Sequence, residues 1–100
     1  METPRLMIVR YSRRAQSDLA GILEYIEERS PRGAHKMKLA IKRTIETIGQ
    51  NPNLGHPTGR SGTRGSPVGK YSYFVYWTVG ASEVWIVHVR HAARRPWRSL

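Results

Sequence analysis

Apolar side chains recur at helical spacing in two consecutive stretches of the chain. The first stretch predicts a helix from about Arg13 to Arg29, and Ser12 before it is suited to cap its N-terminus. The second predicts a helix that starts at Ser30-Pro31 and stops near Gly49. The two apolar stripes consist of Ala15, Leu19, Ile22 and Ile26, and of Ala34, Met37, Ile41, Ile45 and Ile48. Because almost nothing separates the helices, we expect an antiparallel helical hairpin.

β-branched and aromatic runs predict the strands. Residues 6–11 indicate a first strand, and residues 71–79 and 84–89 indicate a hairpin of two longer strands near the end of the chain. Residues 51–69 are rich in Gly and Pro and predict a long loop, with a short strand around residues 64–68. A loop of this length in so small a protein is often functional.

Alternation along the last strand predicts which side chains face the helices. Val84, Ile86, His88 and Arg90 should share one face, and Trp85, Val87 and Val89 the other. The second face is entirely apolar, so we expect it to pack against the helices. The first face becomes polar towards the end of the strand, so we expect His88 and Arg90 to reach water.

The order of these elements predicts an α+β fold. It has an N-terminal strand, an antiparallel helical hairpin and a C-terminal, mainly antiparallel sheet of about three strands, with the helices on one face of the sheet. The chain has 100 residues, the size of one small domain, so we expect a single domain over residues 1–100.

Charge narrows the range of partners. Seventeen Lys and Arg oppose seven Asp and Glu, giving a formal net charge of +10. The excess of positive charge is greater in residues 51–100, which contain seven basic side chains and one acidic side chain. A field of this sign attracts nucleic acid, anionic lipid or an acidic protein.

Other features exclude several kinds of site. The chain has no cysteine, so disulfides and cysteine-based metal sites are excluded. His88 and His91 are three residues apart in a strand and should face opposite ways, so we expect no metal, and nothing indicates a cofactor. No apolar run is long enough to span a membrane and no secretory signal is visible, so we expect a cytoplasmic protein without a membrane partner.

Several short motifs occur in a characteristic order. The first predicted helix contains A-x-x-D-L-x-x-I-x-x-Y-I from Ala15 to Ile26, and N-P-x-x-G follows the second from Asn51 to Gly55. V-G-x-Y spans Val68 to Tyr71, and the last strand closes with V-x-H-x-x-R at Val89, His91 and Arg94. This ordered set resembles the RelE/ParE superfamily of bacterial toxins from type II toxin–antitoxin systems, over nearly the whole chain.

The resemblance implies a partner and one of two targets. Members of this superfamily are neutralised by a small acidic cognate antitoxin, and the toxin–antitoxin complex is expected to bind operator DNA through the antitoxin. ParE-like toxins poison DNA gyrase, whereas RelE-like toxins cleave mRNA in the ribosome. The first-helix pattern and V-x-H-x-x-R look more ParE-like, so gyrase is the favoured target. The alternatives are a RelE-like endoribonuclease and a non-toxic basic module that binds nucleic acid.

Candidate site residues follow from this resemblance and from the cationic sheet half. RNA cleavage needs a base, an acid and cations on the phosphate. If the chain is RelE-like, these roles would fall to Arg60, Arg64, His88, Arg90 and His91. The expected contacts to a target or partner are Arg60, Arg64, Lys70, Arg90, His91, Arg94, Arg95 and Trp97.

Overall fold

The structure, a computed structural model, describes residues 7–60 and 62–92. Its elements are β1 (Ile8–Tyr11), α1 (Arg13–Arg29), α2 (Pro31–Gln50), β2 (His56–Pro57), β3 (Thr63–Pro67), β4 (Tyr73–Val79) and β5 (Glu83–His91). The strands form one sheet in the order β1-β5-β4-β3-β2. β1 runs parallel to β5, and the other neighbouring strands are antiparallel. The α+β prediction is confirmed, and the N-terminal strand joins the C-terminal sheet.

Serine caps define the helical hairpin. The Ser12 hydroxyl accepts a hydrogen bond from the backbone N–H of Ala15 at 3.0 Å, and the Ser30 hydroxyl accepts one from Gly33 at 2.9 Å. Ser30 also ends α1, so one residue connects the helices. α2 extends one residue beyond its predicted stop. Gly49 is buried there, and a Cβ at this position would lie 3.1 Å from the nearest Val9 methyl carbon, which leaves little room for a side chain.

The core lies between the helices and one face of the sheet. All five apolar stripe positions predicted for α2 are buried, and Ala15 of α1 is buried with them. From the strands, the core receives Val75, Trp77, Val84, Ile86 and Val89, and Val68 joins it from the turn after β3. In the described part of the chain, no helix is long and apolar enough to cross a bilayer.

A β-bulge in β5 reverses part of the predicted alternation. Trp77 pairs with Ile86 but its neighbour Tyr76 pairs with His88, which leaves Val87 as an extra residue. The prediction that Trp85, Val87 and Val89 face the helices is therefore wrong for Trp85 and Val87 and holds only for Val89. Ile86 and Val89 lie in the core on either side of the bulge together with Val84, and Trp85 is 39% exposed.

Side chains from the sheet hold the loop that follows α2. The Trp77 indole N–H donates to the carbonyl oxygen of Pro52 at 2.9 Å. The Arg64 guanidinium donates to the carbonyl oxygens of Leu54 and Gly55 at 2.8 and 3.1 Å. The loop then forms β2, a strand of two residues that the sequence did not predict, because a pair that includes a proline carries no strand pattern.

Gly55 is the position at which this loop tolerates change least. Its φ of +79° is in the left-handed region, and a Cβ there would lie 2.6 Å from both the Gly65 carbonyl oxygen and the Trp77 ring. We expect Gly55→Ala to lower the free energy of unfolding by about 2–4 kcal/mol, the sum of backbone strain and overpacking. Gly69→Ala is the matched control, since Gly69 has φ +53° but open space around a Cβ, and should cost about 1 kcal/mol. Urea denaturation measures both, and equal losses would contradict the packing explanation.

Candidate functional site

A polar junction joins α1 to the part of β5 that extends beyond β1. β1 pairs with β5 only as far as Ile86. Past that point, the Ser12 hydroxyl donates to the Val87 carbonyl oxygen at 3.1 Å, and an Asp18 carboxylate oxygen accepts from the Val89 N–H at 3.0 Å. The same oxygen lies 2.5 Å from Nδ1 of His88. Two side chains from the start of α1 thus take the place of a neighbouring strand.

His88 is part of this junction rather than of the surface. Its side chain is 4% exposed, so the prediction that His88 reaches water is wrong. Burial lowers the pKa of His88 below its ordinary value, and the nearby charges of Arg14 and Arg90 act in the same direction. The hydrogen bond and charge of Asp18 oppose the shift without cancelling it. His88 is therefore mainly neutral at pH 7, with Nδ1 donating to Asp18.

A cleft of about 720 Å³ opens beside the junction, between α1 and the ends of β4 and β5. Asp18 and Tyr25 line it from the helix, and Tyr73, Arg90 and His91 line it from the strands. The rings of Tyr73 and His91 meet edge to face with 5.0 Å between their centres. The cleft thus offers aromatic rings and cationic or titratable groups to a ligand.

The remaining cations of the possible RelE-like set lie elsewhere. Arg60 and Arg64 line a second cleft beside the loop that follows α2. Arg64 stands opposite Trp77 in the sheet, whereas His91 stands opposite Tyr73. At about 3.3 Å per residue and about 4.8 Å between strands, the Cα atoms of Arg64 and His91 are roughly 16 Å apart. The structure therefore distributes the five residues over two clefts and one buried junction.

Lys70 occupies a third place, in the turn between β3 and β4, beside α2. Arg94, Arg95 and Trp97 lie outside the described residues. Within those residues, no group of three His, Asp or Glu side chains is arranged to hold a metal ion.

An apolar groove of about 540 Å³ lies on the helical side of β1, and the sequence did not single it out. Its lining is Met7, Val9, Tyr11, Leu19, Leu23, Lys38, Ile41, Lys42, Ile45, Glu46, Gly49 and Gln50. The signal that could have indicated it is the width of the apolar surface on the helical hairpin. Leu19 and Leu23 of α1 are only partly buried, and both line the groove. The groove follows an edge strand of the described sheet, so an apolar surface and a strand edge are presented together.

Comparison with known proteins identifies this arrangement. Residues 9–96 match the family described as the ParE toxin of type II toxin–antitoxin systems, parDE. The chain belongs to the ParE toxin family. It is 33% identical over 81 residues to Toxin RelE2 of Caulobacter vibrioides, an overlap of 81% of this chain and 90% of that protein.

Two solved structures share the toxin's fold. The chromosomal ParDE system from P. aeruginosa superimposes with a TM-score of 0.77 at 21% identity, over 86% of this chain and 96% of that chain. The RelBE2 toxin–antitoxin complex from Mycobacterium tuberculosis superimposes with a TM-score of 0.64 at 19% identity, over 94% of this chain and 100% of that chain. The predicted membership of the RelE/ParE superfamily is confirmed.

Asp18 should be the most costly carboxylate of the toxin to remove. Asp18→Ala leaves the Val89 N–H and the His88 N–H without their acceptor, and we expect the free energy of unfolding to fall by about 2–4 kcal/mol. Asp18→Asn keeps one acceptor oxygen and should cost less. Glu24→Ala, on an exposed position of the same helix, should stay within about 0.5 kcal/mol. Urea denaturation decides, and similar values for Asp18→Ala and Glu24→Ala would contradict the role of the junction.

The lowered pKa of His88 predicts how stability depends on pH. Below about pH 6.5 the unfolded chain takes up a proton at His88 that the folded chain resists. The contribution of neutral His88 to the free energy of unfolding should therefore be at its maximum above that pH. It should decrease as the pH falls towards the lowered pKa. His88→Gln removes the titration, so its free energy of unfolding should change less between pH 7 and pH 5 than that of the wild type. Parallel curves for the two proteins would contradict this assignment.

Proposed function

We propose that an acidic cognate antitoxin neutralises this toxin by laying an apolar helix face into the groove beside β1. The groove offers Leu23, Val9 and Tyr11 as an apolar surface, and Lys38 and Lys42 stand at its rim, one helical turn apart. Carboxylates flanking the apolar face of an antitoxin helix would pair with these two lysines. The structures that share the fold support this proposal, since they are named as toxin–antitoxin systems.

The edge of the sheet offers a second element of the same interface. In the part of the sheet that the structure describes, β1 is the outermost strand beside the groove, and its partner strand β5 lies on its other side. An extended segment of the antitoxin can add to such an edge through backbone hydrogen bonds. Groove and edge together fit a chain that binds first as a helix and then as a strand.

Released from its antitoxin, the toxin binds DNA gyrase and inhibits it. The observation that carries this proposal is the separation of the residues that RNA cleavage would require. His88 is buried against Asp18, the Arg64 guanidinium bonds to two loop carbonyls, and Arg90 and His91 lie in a different cleft from Arg60. A protein that acts by binding needs no convergence of acid, base and phosphate contacts. The match to the ParE toxin family favours the same target.

Ribosome-dependent mRNA cleavage is the second candidate, and one observation favours it. The cleft beside the α1–β5 junction holds Arg90, His91 and two tyrosines, which are groups able to contact a phosphate and stack on a base. The relative from Caulobacter vibrioides also carries the name Toxin RelE2. In this case His91 would exchange the proton and Arg90 would contact the phosphate.

Purified toxin should decide between the two targets. We expect supercoiling by DNA gyrase to fall as toxin is added in excess, because the toxin occupies the enzyme, and to recover when the antitoxin is added. Translating ribosomes with the same toxin should yield no new mRNA ends. Unchanged supercoiling, together with mRNA cleavage that His91→Gln abolishes, would overturn the gyrase proposal in favour of the second candidate.

A further inference from the structure

A narrow cationic cleft separates α2 from the turn between β3 and β4. Its volume is about 350 Å³, and its lining is Lys36, Leu39, Ala40, Arg43, Thr44, Gly69, Lys70 and Tyr71. Lys36, Arg43 and Lys70 are exposed, and none of the described residues that line the cleft is a carboxylate. The space around Gly69 is open, since a Cβ there would have no neighbour within 4 Å among the described residues.

The cations of this cleft differ from several others on the described surface. Arg10 pairs with Glu83 at 2.8 Å, Arg29 lies 3.6 Å above the centre of the Tyr25 ring, and Arg64 bonds to loop carbonyls. Lys36, Arg43 and Lys70 form none of the ion pairs found among residues 7–60 and 62–92. Three like charges from two elements therefore face one cleft, where their potentials add and attract an anion.

The cationic cleft and the apolar groove lie on opposite sides of α2. At about 100° per residue, Lys36, Ala40 and Arg43 fall on one side of the helix. Lys38, Ile41 and Ile45 fall on the other side, towards the groove. A ligand in the cleft would therefore leave the groove accessible.

We propose that this cleft binds the phosphate backbone of a nucleic acid, and that it can do so while the antitoxin occupies the groove. Lys36 and Arg43 are seven residues apart, which separates them by about 10 Å along the helix, with Lys70 across the cleft. Cations spaced in this way can each neutralise a different phosphate of a nucleic-acid backbone. A guanidinium such as that of Arg43 can also bind a phosphate through two parallel hydrogen bonds. The apolar part of this cleft is limited to Leu39, Ala40 and Tyr71, whereas the other side of α2 presents the longer apolar groove that an acidic amphipathic helix needs.

Binding of the isolated toxin to a fluorescently labelled 20-base-pair DNA duplex tests the cleft. The triple variant K36Q/R43Q/K70Q should bind at least about tenfold more weakly than the wild type. The slope of log affinity against log salt should fall by about three, one for each phosphate that the variant no longer neutralises. The variant R13Q/R14Q/R29Q is the control, because it removes the same charge from exposed positions on α1 that line none of the clefts described here. Its affinity should stay within about threefold of the wild type.

Two results would overturn the proposal. Equal decreases in affinity for both triple variants would show that net charge alone attracts DNA. Unchanged DNA binding by K36Q/R43Q/K70Q, together with weaker binding of a poly-glutamate peptide, would show that the cleft binds acidic protein instead.

That DNA and antitoxin bind the toxin at the same time rests on the proposed function, and a separate measurement tests it. We expect a complex of antitoxin with K36Q/R43Q/K70Q toxin to bind operator DNA more weakly than the wild-type complex, while the affinity of toxin for antitoxin is unchanged. The experiment on the isolated toxin needs no antitoxin, so a wrong antitoxin assignment and a wrong cleft assignment give different results. Identical operator affinities for the two complexes would contradict a contribution of the toxin to DNA binding.

Discussion

The carboxylate of Asp18 is the contact on which the arrangement of helix and sheet depends. β1 has four residues and β5 has nine, so among the described residues more than half of β5 has no strand beside it on that side. Because a buried strand edge needs hydrogen-bond partners, α1 must supply them as soon as β1 ends. Asp18 does so by accepting from Val89 and His88, and Ser12 donates to Val87 while also capping the helix. The segment from Ser12 to Asp18 thus caps the helix, satisfies the edge of β5 and lines a cleft.

In the loop after α2, Arg64 looks like a functional cation in the sequence but has a structural role. Arg64 is a cation in a basic loop, and its contacts are the carbonyl oxygens of Leu54 and Gly55. These two hydrogen bonds hold the guanidinium against the loop, and the Trp77 indole N–H donates to the Pro52 carbonyl at the start of the same loop. The loop is consequently a fixed part of the sheet's edge. Arg60 and Arg64 therefore stay beside this loop, in a different cleft from His91.

α2 organises the outer surfaces of the toxin because its two sides differ in chemistry. One side contributes Ile41 and Ile45 to an apolar groove beside an edge strand, and the other contributes Lys36 and Arg43 to a cleft without carboxylates. An apolar surface binds by releasing water, whereas a row of cations binds by releasing counterions, so the two sides suit different partners. The proposed antitoxin groove and the proposed phosphate cleft therefore use different surfaces of α2.

The sequence by itself determined the helices, their serine caps, the buried stripe of α2 and the main strands, since each depends on side chains close together along the chain. The order of short motifs along the chain indicated the toxin superfamily. Only the tertiary structure decided which side chains of β5 face the core. The bulge at Val87 depends on the register with β4, and it reverses an alternation that the sequence alone presents as regular. His88 became a buried partner of Asp18 for the same reason, because the two residues are 70 positions apart and meet only when α1 closes the edge of β5. The groove, the parallel pairing of β1 with β5 and the separation of the cationic residues likewise arise from contacts between distant segments, which local patterns do not encode.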